Sequence, residues 1–297
     1  MRVISALKRY RATFKNWKTV ALMRALGFPR VKVVTRAGKA FEVDMQTAMS
    51  MASFYYKLSQ HFEGVEVEPD RVSFMYKGRR VVFYGYRHGS IVEAFNDYLW
   101  LTVSGRSVLD IGASIGDTAV AFALRGAKRV VAVEPYPFVF RYAKKNIEAN
   151  GLSNVELVNA GVGEEEGEIR LTTAPTFSGT SLRESACGID VPIYTLDTLV
   201  ARYGPFDALK VDCEGCEYSL LKSERLADFR EIQIEYHYGY EPIAKRLCEL
   251  GFRVRVSPPR DAFNANAEKP EMKVGYIFAQ KPDGSGGLGR IILTHLI

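Results

Sequence analysis

An α/β fold is what the sequence predicts: a mostly parallel sheet with helices on both faces and an antiparallel last strand, over residues 101–281, behind an α+β accessory region at 1–100. Three observations predict it. From Ser107 onward, apolar strand-like runs (SVLDIG, RVVAVEP, VELVNAGVG, DALKVD, REIQIEYH) alternate with helix-like runs, the pattern that builds parallel sheets. The last two runs, FRVRVSP and KVGYIFAQ, have no helix between them, which predicts an antiparallel pair at one edge. Before Ser107 the pattern passes between helix and strand without any internal repeat.

Each element has its own signal. Over residues 2–26, Val3, Leu7, Tyr10, Phe14, Trp17 and Ala21 recur at spacings of four and three, one apolar face of a helix, before Gly27 and Pro29 stop it. VKVVTRAGKAFEVDM reads as a strand pair, 46–62 as a helix, 71–77 and 79–86 as strands and 91–101 as a helix. Helices are expected from Gly116, from Phe138 to Asn150, after DALKVD, and over IAKRLCELG; 164–195 reads as added strands and a loop. Residues 282–297, containing GSGG, read as a mobile tail in which IILTHLI could dock.

Composition bounds the function. The 297 residues are 47% hydrophobic and 25% charged, ordinary for a globular protein. No run is apolar for long enough to span a bilayer, and the N-terminus lacks a signal-peptide pattern, so a cytoplasmic location is expected. Four cysteines (Cys187, Cys213, Cys216, Cys248) are too few for a disulfide framework. The net charge is +6, yet residues 1–41 hold eleven basic residues and no acid, so the remainder sums to −5. The basic character is local, which weakens a general nucleic-acid argument. The basic N-terminal helix could cap the domain with a solvated face, lie on an anionic membrane or track RNA phosphates. Burial of Tyr10, Phe14 and Trp17 favours the first, and peripheral membrane contact follows.

The first strand of the alternating half ends in GASIG, with Gly112 and Gly116. This is neither the dinucleotide fingerprint nor a P-loop. Glycine at Gly112 lets a ligand approach closely, so Gly112→Val is expected to abolish cofactor binding without unfolding. Glu134 ends the second strand, 22 residues after Gly112, where an acid can accept both ribose hydroxyls. With Asp110 and Asp117 it makes an acidic pocket, which repels pyrophosphate and suits a cationic ligand such as S-adenosyl-L-methionine.

At this point the chain resembles a known family. VLDIGASIGDTAVAFALRGAKRVVAVEP is similar to the first two motifs of the class I S-adenosylmethionine-dependent methyltransferases. More narrowly, VPIYTLDTL, DALKVDCEGCEYSLL and IQIEYH resemble the FkbM family in order and spacing. The resemblance implies a Rossmann-like methyltransferase sheet. It implies a cofactor site from Asp110, Gly112, Ala113, Gly116, Asp117, Thr118 and Glu134, with Asn159 and Ala160 beside the adenine. It also implies O-methylation of a sugar, glycan, glycolipid or other small-molecule acceptor.

In LKVDCEGCEYSLL the cysteines take the family's apolar and small slots, so they read as fillers and not as a zinc half-site, which needs about four ligands; a redox dithiol is the alternative. Asp212 ends the fourth parallel strand, and Glu235 and His237 end the fifth. Open parallel sheets bind ligands beyond such strand ends. Asp212, His237, Glu235 and Glu214 are therefore the catalytic candidates, His237 as a base with a pKa near operating pH and Asp212 as a base or orienter. Glu214 and Glu217 could instead be helix N-terminal acids. No metal is assigned, although Asp212, Glu235 and His237 could hold a divalent cation. FSGTSL (177–182) reads as a lid or acceptor loop. An Asn/Asp-Pro-Pro-aromatic motif, as in base N-methylation, is replaced by DCEG. RNA methylation through the basic segment, or cofactor binding without catalysis, are the alternatives.

Overall fold

The computed structural model describes residues 2–176, 180–258, 260–261, 273–282 and 291–293. The accessory region begins with helices α1 (Arg2–Thr13) and α2 (Trp17–Ala25), then strands β1 (Arg30–Val34) and β2 (Ala40–Asp44), an antiparallel hairpin. Helix α3 (Met45–Leu58) follows, capped by Asp44, whose side chain accepts the Thr47 N–H. Strands β3 (Glu63–Val67), β4 (Arg71–Tyr76) and β5 (Arg79–Tyr84) form a small antiparallel sheet, and α4 (Ile91–Asn96) leads out.

The single helix expected over 2–26 is two helices. The break has a local cause: the Asn16 side chain donates to Lys32 O at 2.7 Å and accepts the Val34 N–H at 2.9 Å. Phe14 bridges to Thr35 and is fully buried. Polar pairing to the β1 edge and burial of one ring outweigh helix continuation. Strand β3 was not expected, and the helix expected over 91–101 is confined to α4.

The larger sheet comes from β6 (Ser107–Ile111), α5 (Asp117–Leu124), β7 (Arg129–Val133), α6 (Pro137–Ala149) and β8 (Val155–Val158). A side sheet of β9 (Gly161–Val162), β10 (Gly167–Leu171) and β11 (Ile189–Tyr194) precedes α7 (Leu196–Tyr203) and β12 (Ala208–Val211). After β12 the chain makes two 3-10 turns, Cys216–Lys222 and Glu224–Asp228, where a helix was expected; Ser223 ends the first turn and caps the second. Then come β13 (Glu231–Tyr236), α8 (Glu241–Glu249), β14 (Arg253–Val256), β15 (Arg260–Asp261), β16 (Lys273–Gln280) and β17 (Ile291–Leu293).

The strand order is β17-β14-β16-β13-β12-β6-β7-β8, with β15 on β16. β6, β7, β8, β12 and β13 run parallel, so their carboxyl ends share one rim. β16 is antiparallel and lies between β13 and β14. The antiparallel pair is therefore not an edge by itself, because β17 runs parallel beside β14. Residues 291–293 of the expected tail are thus in the sheet; 283–290 and 294–297 lie outside the described residues. Among the described residues, no helix is long and apolar enough to cross a membrane.

The accessory region is clamped to the large sheet by hydrogen bonds as well as by apolar packing. Asn146 on α6 and Asn150 at its C-terminal cap, one turn apart, face the edge of β5. The Tyr84 N–H donates to Asn146 Oδ1 at 2.7 Å and the Val82 N–H to Asn150 Oδ1 at 3.0 Å. Their amides donate back to Tyr84 O and Val82 O. The two side chains act as a further strand, which satisfies an edge that would otherwise cost free energy to bury.

Candidate functional site

A cleft opens where β6, β7 and β12 end, above their carboxyl rim. The space among its lining residues, open mouth included, is about 650 Å³. Ile111, Gly112 and Ser114 line it from β6, Glu134, Pro135 and Tyr136 from β7, and Ala160 and Val162 from the β8–β9 turn. Asp212, Cys213, Glu214 and Cys216 line it from beyond β12, and Thr180 and Leu182 from the expected acceptor loop, whose 177–179 lie outside the described residues.

Glu134 is held at the β7 end by the chain itself. Its two oxygens accept the Ser114 N–H at 2.9 Å and the Tyr136 N–H at 2.8 Å. Burial raises its pKa to about 7 against the lowering effect of those amides. Asn159 does not line the cleft; its amide donates to the carbonyls of Glu134 and Pro135 and fixes that turn. Tyr136 closes the wall, its hydroxyl donating to Ser181 O at 2.7 Å. Sequence reading missed Tyr136, since an aromatic after a strand has no distinguishing pattern.

Asp110, Ala113, Gly116, Asp117 and Thr118 lie beneath this surface and are not among the residues lining the cleft. Asp110 is fully buried, pairs with Lys210 Nζ at 3.1 Å and accepts the Thr118 hydroxyl at 2.6 Å. Lys210 also donates to Gly112 O at 2.7 Å. Burial works against the Lys210 charge, but Asp110 and Asp212 outweigh it and raise its pKa. Asp117 accepts the Ser90 N–H at 2.7 Å and so ties the accessory region to α5; burial raises its pKa to about 6.

Gly112 is also structural. Its φ is +80°, and a Cβ there would lie 1.7 Å from Asp212 O. The glycine is required by the backbone after β12, not only by a ligand. The expectation that Gly112→Val leaves the fold intact is therefore corrected.

The β12–β13 side carries a denser set. Tyr98 donates to Asp212 Oδ2 at 3.0 Å and lies 3.4 Å from Glu235 Oε2. His237 is 3% exposed. Its Nδ1 meets Glu217 Oε1 at 2.9 Å, and its Nε2 lies 3.2 Å from Glu214 Oε2 and 3.8 Å from Asp212 Oδ1. Glu217 is fully buried and also accepts the Cys213 N–H at 3.1 Å. Cys213 and Cys216 form a disulfide with Cα atoms 5.4 Å apart, so the pair is neither two plain fillers nor half of a zinc site.

Three carboxylates (Asp212, Glu214 and Glu217) thus surround one imidazole, with Glu235 beside Tyr98. Burial alone would depress the His237 pKa, but its contacts with Glu214 and Glu217 outweigh that and raise it to about 11. The sequence suggests a base titrating near neutrality; the contacts with Glu214 and Glu217 instead favour the protonated ring. Burial, then the Asp212 charge, pushes Glu235 to about 8. The structure brings Asp212, Glu214, Glu235 and His237 together as the strand-end argument expects. Tyr98, from a segment expected to be simple helix, was not foreseen, and Glu217 reads in the sequence as a helix-start acid.

The lining fits S-adenosylmethionine chemically. Among the described residues, three acids (Glu134, Asp212, Glu214) and no Lys or Arg line the cleft, which suits a ligand with cationic sulfur and amine and no phosphate. Glu134 keeps lone pairs for ribose hydroxyls, because each oxygen accepts one amide of the two it can take.

Comparison with known proteins gives the family. Residues 110–254 match the methyltransferase FkbM domain. An uncharacterized protein of Methanocaldococcus jannaschii, MJ1452, is 43% identical over 51 residues, 17% of this chain and 19% of that one. The chain therefore spans about a fifth of the length of that curated relative. Similar solved structures include M. jannaschii TYW2 in complex with AdoMet (TM-score 0.41, 14% identity, 72% of this chain and 87% of that one). Trm5b from Pyrococcus abyssi gives 0.42 and 13%, over 74% and 63% of the two chains. A precorrin-6y C5,15-methyltransferase from Geobacter metallireducens gives 0.35 and 15%, over 64% and 86%. Residues 110–254, just under half of the chain, belong to the methyltransferase FkbM domain family.

Proposed function

We propose that the protein transfers the methyl group of S-adenosylmethionine to a hydroxyl of a sugar, glycan or glycolipid-like acceptor. The observation that carries this reading is the lining of the cleft, which among the described residues has three acids and no Lys or Arg, with Glu134 on the β7 side and Asp212 and Glu214 on the β12 side. When bound, the cofactor supplies an electrophilic methyl on a positively charged sulfur. Glu134 would accept the ribose hydroxyls, and Ala160 in the β8–β9 turn leaves room for the adenine. Asp212, with Tyr98 on Oδ2 and Oδ1 turned toward His237 at 3.8 Å, lines the cleft where its carboxylate would orient an acceptor oxygen for in-line attack. Oxygen acids where base-methylating enzymes carry an amide or acid followed by prolines support a hydroxyl acceptor.

A second reading concerns where the acceptor sits. Leu22, Leu26 and Phe28 are 59%, 65% and 47% exposed at the end of α2, within the segment of eleven basic residues and no acid. Exposed apolar side chains among cations favour peripheral contact with an anionic membrane over a plain solvated face. Incubation with methyl-labelled cofactor and separate free-glycan, lipid-linked-glycan and RNA fractions tests both readings. Label on a glycan hydroxyl, enhanced by anionic vesicles, is the expected result. Label on RNA, lost steeply with salt, would replace the acceptor class, and no label in any fraction would favour cofactor binding without catalysis.

A further inference from the structure

We propose that Asp212, Glu214 and His237 form a binding site for one divalent cation at the acceptor end of the cleft, with Glu217 as the residue that aims the histidine. The three candidate donor atoms lie within 4.8 Å of one another. Donors on neighbouring positions of an ion at about 2.1 Å would sit about 3 Å apart, and Glu214 Oε2 and His237 Nε2 are at 3.2 Å.

Two of the three donors have their other polar atom occupied. His237 Nδ1 is held by Glu217 Oε1 at 2.9 Å, which leaves Nε2 facing the two carboxylates. Asp212 Oδ2 accepts the Tyr98 hydroxyl at 3.0 Å, which leaves Oδ1 on the side of His237. Glu217 is itself fixed by the Cys213 N–H and is fully buried. A buried carboxylate on the distal nitrogen of an imidazole is the support that metal-ligating histidines have, and it fixes both tautomer and ring direction. The histidine is almost wholly buried, and its Nε2 faces Glu214 Oε2 at 3.2 Å inside the protein, so an ion bound there takes the place of the proton these carboxylates hold on the ring.

The cation already nearby does not fill this role: Lys210 is committed to Asp110 and to the carbonyls of Ile111 and Gly112. One imidazole with two carboxylates suits manganese, and more weakly magnesium. Asp212 and Glu214 also line the cleft, so open coordination positions of the ion would face an acceptor oxygen. Glu235 is not among the ligands, since Tyr98 stands between it and Asp212 within hydrogen-bond reach of both. That use of the ion rests on the methyl-transfer reading; the ion site itself does not.

The test needs no cofactor. Protein stripped with a chelator is titrated with Mn2+, followed by the spin-resonance signal of free ion and by calorimetry. One saturable ion per chain is expected. Glu214→Gln and His237→Gln should each lose affinity tenfold or more, with thermal melts confirming that they fold. Glu217→Gln keeps the hydrogen-bond acceptor and removes the charge; it should weaken Mn2+ binding about 10–100-fold with the Mn2+ stoichiometry unchanged, which a merely structural role would not produce. Absence of saturable Mn2+ and Mg2+ binding by the unaltered protein, or wild-type affinity in Glu214→Gln and Glu217→Gln, would overturn the site. A parallel titration with S-adenosylhomocysteine separates the two claims: ion binding without it would sink the proposed function and leave this site standing.

Discussion

The two halves of the strand-end rim use acids in opposite ways. On the β6–β7 side each carboxylate is matched by the protein itself: Asp110 by Lys210 and Thr118, Asp117 by the Ser90 amide, and Glu134 by two backbone amides. On the β12–β13 side Asp212, Glu214, Glu217 and Glu235 converge on a single imidazole and one tyrosine hydroxyl. The difference teaches that a strand-end acid is not by itself a ligand-binding group. Asp110 and Asp117 lie in the floor of the cleft, while Glu134, held by its two amides, stands in the lining with lone pairs to spare. The crowded ones retain negative charge that a bound cation or a proton must balance.

The comparison breaks most severely at Gly112, where the two halves touch. Gly112→Val should prevent folding, because even a Cβ would meet Asp212 O at 1.7 Å. Far-ultraviolet circular dichroism and a thermal melt check this, and a cooperative melt near the wild-type temperature would contradict the packing described. Next in size is Lys210→Met, which strands Asp110 as an unpaired buried charge. It should cost about 3–5 kcal/mol in urea unfolding, and the double variant with Asp110→Asn should recover much of that. A loss below about 1 kcal/mol would mean the floor is not held by this pair.

These contacts also show what the sequence reveals and what it hides. The alternation of strand and helix is legible because parallel strands buried on both faces are runs of apolar residues, as VLDI and VVAV are. The order of the rim follows, and so do Glu134, Asp212, Glu235 and His237 at strand ends. What stays hidden depends on pairing across distance. Nothing near Asp110 says that Lys210, a hundred residues on, will take its charge. Nothing near Asn16 says that its amide will break a periodic helix by pairing with β1. Tyr98 reaches Asp212 across 114 positions, and a tyrosine in an amphipathic stretch carries no mark of that. The histidine was legible in position, but not its contacts with Glu214 and Glu217, which raise its pKa.

A smaller effect sharpens the cofactor side. Glu134 titrates at about 7 in the folded chain, above the usual carboxylate range. A raised folded pKa means the folded state holds its proton longer, so this group lowers stability as pH rises from the ordinary carboxylate pKa to about 7. A ribose diol donating to the ionised form reverses that preference. Affinity for S-adenosylhomocysteine should therefore fall as pH drops through about 7, with Asp110 and Lys210 the charged groups that also act on Glu134. Glu134→Gln should bind about 1–3 kcal/mol more weakly at pH 8 and lose the pH dependence. An unchanged pH profile in that variant would remove Glu134 from the ribose contact.

The most direct measurement is calorimetric titration of the purified protein with S-adenosylmethionine, S-adenosylhomocysteine and NAD. A cleft lined, among the described residues, by three acids and no Lys or Arg predicts saturable binding of the first two and none of the pyrophosphate-bearing third. Binding of NAD at comparable strength, or of none of the three, would contradict the assignment of this cleft to a phosphate-free cationic cofactor.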